Sequence, residues 1–195
     1  MTEEALEHNT PENVDALFSD LNYVIKYLSC GRLGWYGTVI DLFVEKSKID
    51  LVGKRIADAG CATGNALRYI YDKHSPGELF GFDYSAEALK WARLLLPEAT
   101  FAVRDLEDPI EMKFDLVLCF QTLEHLRYPK LVLDNLLDTL VDGGMLFLTV
   151  PDGATDGWYG HISKWAIQEF EGFTGAQHIW RLDDVILAVV VKDSA

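Results

Sequence analysis

The sequence predicts an α/β protein built on a mostly parallel sheet that is covered by helices on both faces. From Lys54 onward, short apolar runs of strand length alternate with segments whose apolar residues recur at helical spacing. The runs are apolar throughout, which is typical of strands buried on both faces. Near the C-terminus only Asp183-Asp184 separates two runs, and so short a connection joins antiparallel strands.

The segment before this alternation is predicted to be helical. Thr10-Pro11-Glu12 combines a hydroxyl cap, a proline at the first helical position and an acid near the positive end of the helix dipole. Apolar residues at helical spacing then continue to Leu28. We expect Gly31 and Gly34 to interrupt the helix, and a second helix to cover residues 36–46.

The remaining elements follow in order along the chain. Strands are predicted at residues 55–58, 79–83, 100–103, 114–120, 145–150, 177–182 and 185–192, with Gly143-Gly144 as the turn into the fifth. Helices are predicted at 65–73, 85–95 with Ser85 as its cap, 129–140 and 163–171. The length suits a single domain over residues 1–195, with an N-terminal helical cap over 1–45 and an α/β core over 54–192.

Composition and charge exclude several classes of protein. A hydrophobic content of 49% excludes a disordered chain, and no apolar run reaches the roughly 18 residues of a membrane span. The acidic N-terminus does not resemble a signal peptide. Cys30, Cys61 and Cys119 are too few and too scattered for a disulfide framework, so we expect a cytoplasmic protein. The net charge of −14 disfavours nucleic-acid and membrane-surface partners.

The strongest local signal is the stretch Asp58–Gly64, which follows the first strand of the alternating region and opens a helix. The small residues Gly60, Ala62 and Gly64 allow a sharp turn and close approach to a ligand, and the helix N-terminus offers free N–H groups. Asp83 ends the next strand, where a carboxylate can accept hydrogen bonds from both hydroxyls of a ribose. Together they predict a pocket for a nucleoside-bearing cofactor at the carboxyl ends of the strands.

The spacing in this stretch excludes the commonest nucleotide-binding motifs. It differs from the dinucleotide fingerprint G-x-G-x-x-G, and Asn65 follows Gly64 where a phosphate-binding loop would have lysine. The acid at Asp58 suits a cofactor with an α-amino group and a sulfonium rather than a pyrophosphate.

With these residues the sequence resembles the class I S-adenosylmethionine-dependent methyltransferases. Their first motif, D/E-x-G-x-G-x-G, is matched by residues 58–64 with Ala62 in place of the middle glycine. Later stretches resemble the family's further motifs in the same order: 81–85, 104–106, 114–126 and 142–147. The "LEH" form at 123–125 resembles the small-molecule branch that includes ubiquinone-biosynthesis O-methyltransferases.

The resemblance implies a fold, a cofactor and a set of binding residues. The fold would be a Rossmann-like, doubly wound seven-stranded sheet of order 3-2-1-4-5-7-6 with strand 7 antiparallel. The cofactor would be S-adenosylmethionine, with S-adenosylhomocysteine as product. Asp83 would hold the ribose, Tyr84 and Asp105 with the Leu106 N–H the adenine, and Cys119 and Phe120 would lie beside the methionine part. The full predicted set is Asp58, Gly60, Cys61, Ala62, Gly64, Asp83, Tyr84, Asp105, Leu106, Cys119 and Phe120.

On the acceptor side, two histidines are the candidate catalytic residues. Methyl transfer from a sulfonium is an in-line displacement, and an acceptor hydroxyl also needs its proton removed. His125 follows the fourth strand and His161 lies in the aromatic segment 158–165, although either could be purely structural. No metal is expected at Glu124-His125, because no other His or Cys lies at ligand spacing. Trp35, Tyr36, Trp158, Tyr159 and Trp165 could form either core or an acceptor lid.

The predicted function is therefore methylation of an oxygen or nitrogen on a small molecule. The insertion between the fifth and sixth strands is short, so we expect no large substrate-recognition domain there, and residues 1–45 and 151–163 are expected to cover the acceptor. One alternative is a non-catalytic S-adenosylmethionine-binding partner or regulatory subunit, and another is a dinucleotide oxidoreductase. The oligomeric state stays open.

Overall fold

The computed structural model describes the backbone of residues 3–193 and all side chains among them except those of residues 3–5 and 30–32. Its helices are α1 Glu3–His8, α2 Pro11–Ser19, α3 Leu21–Tyr27, α4 Cys30–Ser47, α5 Asn65–His74, α6 Ala86–Leu95, α7 Pro129–Asp138 and α8 Ile167–Thr174. Its strands are β1 Arg55–Ala59, β2 Glu78–Asp83, β3 Thr100–Val103, β4 Phe114–Phe120, β5 Leu140–Pro151, β6 His178–Leu182 and β7 Val185–Val191.

The strands form a seven-stranded sheet of order β3-β2-β1-β4-β5-β7-β6, which confirms the predicted Rossmann-like topology. β2 pairs in parallel with β1 and with β3, and β4 pairs in parallel with β5. β7 is antiparallel to both β5 and β6, so the last two strands form the predicted hairpin. Ser85 caps α6, as expected, by accepting a hydrogen bond from the Ala88 N–H.

The chain divides into two compact units. The first, here called the N-unit, is Pro11–Asp105 and contains α2 to α6 with β1 to β3. The second, the C-unit, consists of the residues up to Thr10 and those from Leu106 onward, with β4 to β7. The division into a cap over 1–45 and a core over 54–192 stays a prediction.

Two strands of the C-unit, β4 and β7, are buried on both faces, as their continuous apolar sequence predicts. Leu116, Leu118 and Cys119 of β4 are fully buried, and so are Ile186 to Val189 of β7. Such two-sided burial requires cover above and below the sheet, which is why these strands lack polar alternation.

The N-terminal helical segment differs from its prediction at Asp20. A continuous helix to Leu28 was expected, but α2 ends at Ser19 and α3 begins at Leu21. Asp20 has extended backbone, and its side chain accepts a hydrogen bond from the Asn22 N–H at 2.9 Å. A short carboxylate that caps the second helix ends the first, and the apolar spacing alone could not show this.

The predicted interruption at Gly31 and Gly34 is also wrong, because α4 runs through both residues. A glycine costs a helix about 1 kcal/mol relative to alanine, and burial of the helix face outweighs that cost. Val39, Ile40 and Phe43 on α4 are at most 1% exposed.

Two element boundaries in the C-unit also differ from their predicted positions. Gly143-Gly144 lies inside β5 rather than before it, and the pairing of β4 with β5 shifts between Phe114 and Leu116. The positive φ of Gly143, +72°, fits a strand irregularity of this kind. Helix α8 was predicted from residue 163 but begins at Ile167, because the Ala166 N–H is held by the Glu169 carboxylate at 2.8 Å.

Among the described residues, no helix combines the length and the apolar composition that a membrane span requires.

Gly81 on β2 should tolerate no side chain. A Cβ there would lie 2.4 Å from Cδ1 of Phe101 and 2.8 Å from Sγ of Cys61, inside a packed core. We expect Gly81→Ala to lower the free energy of unfolding in urea by about 1–3 kcal/mol through overpacking. Gly34→Ala is the control, because no described atom lies within 4 Å of its Cβ position and alanine favours the helix. Equal stability of Gly81→Ala and wild type would contradict the packing.

Candidate functional site

The loop from Asp58 to Gly64 in the N-unit makes the sharp turn that its small residues predict. Its backbone is left-handed at Gly60, Ala62 and Gly64, with φ of +81°, +45° and +78°. The Gly60 N–H donates to the Phe82 carbonyl at 2.8 Å, which fixes the loop to β2. Gly64 is then the N-cap of α5, so the loop leads directly into a helix N-terminus.

The Asp83 carboxylate ties this loop to the start of α6. Oδ2 accepts a hydrogen bond from the Ala62 N–H at 2.8 Å, and Oδ1 accepts one from the Ser85 N–H at 2.9 Å. Burial raises the pKa of Asp83 to about 6, although these N–H bonds act in the opposite direction. Each oxygen retains a second lone pair, so a ribose role for Asp83 is chemically open and stays a prediction.

Asp58 is a buried acid at the end of β1. Its side chain is 3% exposed, and burial together with the nearby Asp83 raises its pKa to about 8. The carboxyl is therefore largely protonated at neutral pH, and an approaching cation would favour its ionised form. The pKa of the neighbouring Cys61 thiol is also raised by burial and by the two acids, so Cys61 is a space-filling residue rather than a nucleophile.

Ala62 replaces the middle glycine of the motif yet keeps a left-handed conformation. For an L-residue with a Cβ, this conformation costs about 1–2 kcal/mol. Two interactions compensate: the N–H bond to Asp83, and packing of the side chain in an apolar cluster with Phe18, Val24 and Ala88. Because Phe18 and Val24 belong to α2 and α3, these helices cover the loop.

Asp15 on α2 is a site residue that the sequence analysis missed. Its Oδ1 accepts hydrogen bonds from Ser85 Oγ at 2.6 Å and from the Glu87 N–H at 3.1 Å. The indole N–H of Trp91 also donates to the Phe18 carbonyl at 3.1 Å. These bonds seat α2 on the N-terminus of α6, and no local sequence pattern could indicate so distant a pairing.

Of the three residues predicted to bind adenine, Tyr84 and Asp105 lie in the N-unit and Leu106 lies in the C-unit. Tyr84 is partly buried, and burial followed by the charge of Asp83 raises its pKa. The Arg104 N–H donates to the Asp83 carbonyl at 2.9 Å, which brings the exposed Asp105 to the strand end beside Asp83. Leu106 is buried in the C-unit. The adenine-binding roles of these residues stay predictions.

In the C-unit, β4 ends in two buried residues, Cys119 and Phe120, that the resemblance places beside the methionine part of the cofactor. Gln121 then adopts a left-handed φ of +51°, and its N–H donates to the Thr149 carbonyl at 2.9 Å. This bend turns the chain out of the sheet into the short 3-10 helix Leu123–His125.

Glu124 on this short helix is a buried acid. It is 1% exposed, and neither carboxylate oxygen has a hydrogen-bond partner among the residues that the structure describes. Burial raises its pKa to about 8. Its backbone carbonyl accepts hydrogen bonds from the N–H groups of Ile162 and Ser163, at 2.7 and 3.1 Å, and so holds the loop that carries His161.

The two candidate histidines, His125 and His161, lie together in an aromatic cluster. Their ring centroids are 4.9 Å apart, and the Trp158 ring lies 5.4 Å from the first and 4.6 Å from the second. His8 of α1 packs on Trp158 at 5.2 Å. Burial, followed by the charge of His161, lowers the pKa of His125 to about 4, so its imidazole is neutral at physiological pH.

Asp156 is a second residue that the sequence analysis missed. Its Oδ2 lies 2.8 Å from Nδ1 of His161, and the two side chains are only 6% and 11% exposed. Burial would raise the pKa of Asp156, but the Trp158 N–H and His161 outweigh it and lower that pKa. Asp156 is therefore an anion that fixes the His161 ring and leaves Nε2 free to act elsewhere.

No metal was expected at Glu124-His125 because no further His or Cys lies at ligand spacing along the sequence, but the fold brings a third possible ligand close to both. His161, far away in sequence, brings a ligand atom to within 4.8 Å of ligand atoms of both residues. Ligand spacing along the sequence misses this group, because the loop after β5 folds back onto the turn after β4.

The aromatic residues named as core or acceptor lid make ring contacts with different neighbours. Trp35 packs on Tyr36 within α4, and Trp158 and Tyr159 pack around His8. Trp165 instead contacts Phe170 and Phe173, with ring centroids 5.4 and 5.2 Å away, so it packs against α8.

Comparison with known proteins defines the class to which this fold and loop belong. A family model described as "Methyltransferase domain" matches residues 35–193. The chain belongs to this family and is a class I S-adenosylmethionine-dependent methyltransferase domain, which confirms the predicted fold and cofactor.

Among curated proteins, the chain is 28% identical over 123 residues to a ubiquinone biosynthesis O-methyltransferase of Idiomarina loihiensis, covering 60% of this chain and 50% of that protein. It is 31% identical over 108 residues to a trans-aconitate 2-methyltransferase of Rhizobium rhizogenes, and the match covers 52% of this chain and 40% of that protein. The chain thus spans half or less of the length of these relatives.

Among solved structures, the N-methyltransferase NodS of Bradyrhizobium japonicum in complex with S-adenosylhomocysteine has a TM-score of 0.75 at 17% identity. The match covers 95% of this chain and 100% of the NodS chain. The magnesium protoporphyrin IX methyltransferase of Synechocystis with bound S-adenosylmethionine has a TM-score of 0.70 at 16% identity, covering 94% and 97%. At sequence identities this low, the structural similarity to these two proteins is evidence for a shared fold alone.

Cofactor binding should release a proton from Asp58. Below its pKa of about 8 the free protein holds that proton, and the cofactor's α-ammonium favours the carboxylate. Affinity for S-adenosylmethionine should therefore increase as pH rises toward about 8. Calorimetry in buffers of different ionisation enthalpy measures the released protons. Asp58→Asn should abolish the release, and a wild-type affinity independent of pH would contradict the expectation.

Proposed function

We propose that this protein transfers the methyl group of S-adenosylmethionine to an oxygen or nitrogen of a small-molecule acceptor. The observation that carries the proposal is the pair of buried acids, Asp58 and Asp83, at the left-handed loop of the N-unit. One acid suits the cofactor's ammonium group, and the other suits the two hydroxyls of its ribose. Backbone N–H groups at the start of α5 add donors for its carboxylate.

The bound cofactor supplies a methyl group already activated on a sulfonium sulfur. The chain's own task is mainly to align the acceptor with that methyl group. In this proposal Tyr84, Asp105 and Leu106 hold the adenine, and Cys119 and Phe120 lie beside the methionine part.

His125 and His161 serve the acceptor in this proposal. An acceptor hydroxyl must lose its proton for methylation, and a neutral imidazole held in one orientation can promote that loss. The Asp156 carboxylate fixes His161 in such an orientation, and the aromatic ring of Trp158 adds an apolar wall.

Two observations support a small acceptor. The curated relatives are named as methyltransferases of ubiquinone biosynthesis and of trans-aconitate. The net charge of −14 disfavours a polyanion such as nucleic acid.

Calorimetry with S-adenosylhomocysteine, followed by a screen of hydroxyl- and amine-bearing metabolites with methyl-labelled cofactor, tests the function. We expect stoichiometric cofactor binding and label transfer to an acceptor. Tight binding without transfer to any acceptor, together with a co-purifying protein, would favour the alternative of a non-catalytic binding subunit.

Asp83→Ala should weaken binding of S-adenosylhomocysteine by about 1–3 kcal/mol, the size expected for losing hydrogen bonds to a charged group. Asp184→Ala, in the exposed hairpin turn, is the control and should leave binding unchanged. Urea unfolding of both variants separates a binding defect from a folding defect. An effect of Asp83→Ala no larger than that of the control would place the ribose elsewhere.

Asp156→Asn should reduce kcat about 100-fold or more while leaving cofactor affinity intact, because it removes the anion that orients His161. His161→Ala should show a loss of similar size, and the double variant should lose little more than either single one. Steady-state kinetics with the acceptor found in the screen provide the measurement. Independent, additive losses would show that Asp156 does not act through His161.

A further inference from the structure

The buried carboxyl of Glu124 has no hydrogen-bond partner in any other described residue. Both of its oxygens are inaccessible to solvent and unpartnered among the described residues. Burying a carboxyl without hydrogen bonds is costly, so native proteins rarely leave one unsatisfied unless an ion or ligand takes part. No step of the proposed methyl transfer uses this group.

Two histidine side chains, His125 and His161, lie close to this carboxyl. Nδ1 of His125 is buried and also lacks a partner among the described residues. An interaction with the Gly160 backbone acts on the His125 ring and opposes the effect of burial on its pKa. One ligand atom each from Glu124, His125 and His161 lie within 4.8 Å of one another.

The spacing of these three atoms is close to that of a coordination sphere. Ligand atoms bonded at about 2.1 Å in a tetrahedral arrangement lie about 3.4 Å apart. The three ligand atoms lie within 4.8 Å of one another, so the largest separation exceeds this value by at most about 1.4 Å.

The outer contacts also match those of metal ligands. Metal-binding histidines usually bond their second ring nitrogen to a carboxylate or a backbone carbonyl, which orients the ring. His161 has the Asp156 carboxylate in this position, and the His125 ring interacts with the backbone of Gly160. Asp156 is itself held by the Trp158 N–H at 3.0 Å and by Lys164.

From this arrangement we infer that Glu124, His125 and His161 form a binding site for one divalent transition-metal ion, such as zinc, with Asp156 as the residue that orients His161. Two imidazoles and one carboxylate suit zinc, cobalt or iron(II), whereas magnesium and calcium prefer oxygen ligands throughout. Three protein ligands leave at least one position open for a further ligand.

If the proposed function holds, the open position could bind the oxygen of the methyl acceptor. An acceptor oxygen bound to the ion would lose its proton more readily, so the two histidines would act as ligands rather than as free bases. The metal site itself does not depend on methyl transfer.

Metal binding by the untagged full chain tests the inference. The protein is stripped with EDTA, dialysed and titrated with Zn²⁺ or Co²⁺, and bound metal is counted by mass spectrometry. We expect one ion per chain, a tetrahedral-type Co²⁺ absorption spectrum, and an increase in melting temperature with Zn²⁺. His161→Ala should abolish the spectrum, and Asp156→Asn should weaken affinity about 10–100-fold. His178→Ala, at an exposed histidine on β6, is the matched control.

The outcomes separate cleanly. Absence of bound Zn²⁺ and Co²⁺ in wild type would overturn the inference, as would equal binding by wild type and His161→Ala. If His161→Ala fails to fold, Glu124→Gln keeps the shape of the side chain and should still lose the ion. Binding of S-adenosylhomocysteine is measured on the same samples. Metal binding without methyl transfer would refute the proposed function alone, and methyl transfer without metal binding would refute this inference alone.

Discussion

The hydrogen bonds of Asp83 are the interaction on which the arrangement of the N-unit depends. One carboxylate oxygen holds the Ala62 N–H and the other holds the Ser85 N–H. The loop after β1 and the first turn of α6 are thereby fixed to the end of a single strand. The same side chain is the one the family resemblance assigns to the ribose, so a ligand there would contact an atom that already organises its surroundings.

Both units carry a buried acid that burial keeps protonated near neutral pH. Asp58 in the N-unit and Glu124 in the C-unit each have a pKa of about 8. Burial disfavours an isolated carboxylate, so each of these carboxyls is expected to ionise when a cation binds beside it. Under the proposed function the cation in the N-unit is the ammonium group of the cofactor, and under the proposed metal site the cation in the C-unit is a metal ion.

The parts of the structure that sequence could predict are those encoded locally. The mostly parallel sheet follows from continuous apolar strands, and its antiparallel end follows from the short Asp183-Asp184 turn, whereas the strand order was implied by the family resemblance. The tight loop after β1 follows from small residues directly after a strand. The N-terminal helices were predicted less well, because the break depends on one side chain, Asp20, and because tertiary packing carries α4 through its glycines.

The contacts that sequence could not predict are those between distant segments. Asp15 reaches Ser85 across 70 residues, and Asp156 and His161 reach the turn after β4 only because the Glu124 carbonyl anchors their loop. No periodicity or spacing rule encodes such pairings, so the sequence indicated the histidines but neither their shared location nor their partners.

The alanine at position 62 couples the loop after β1 to the packing of the N-terminal helices. Its methyl group lies against Phe18 and Val24, so the first helices of the N-unit rest on the loop that would hold the cofactor. A glycine there would relax the backbone but would remove the apolar anchor for those helices. Undocking α2 and α3 would remove the packing that offsets the left-handed conformation of Ala62, so the shape of this loop is coupled to the docking of the N-terminal helices.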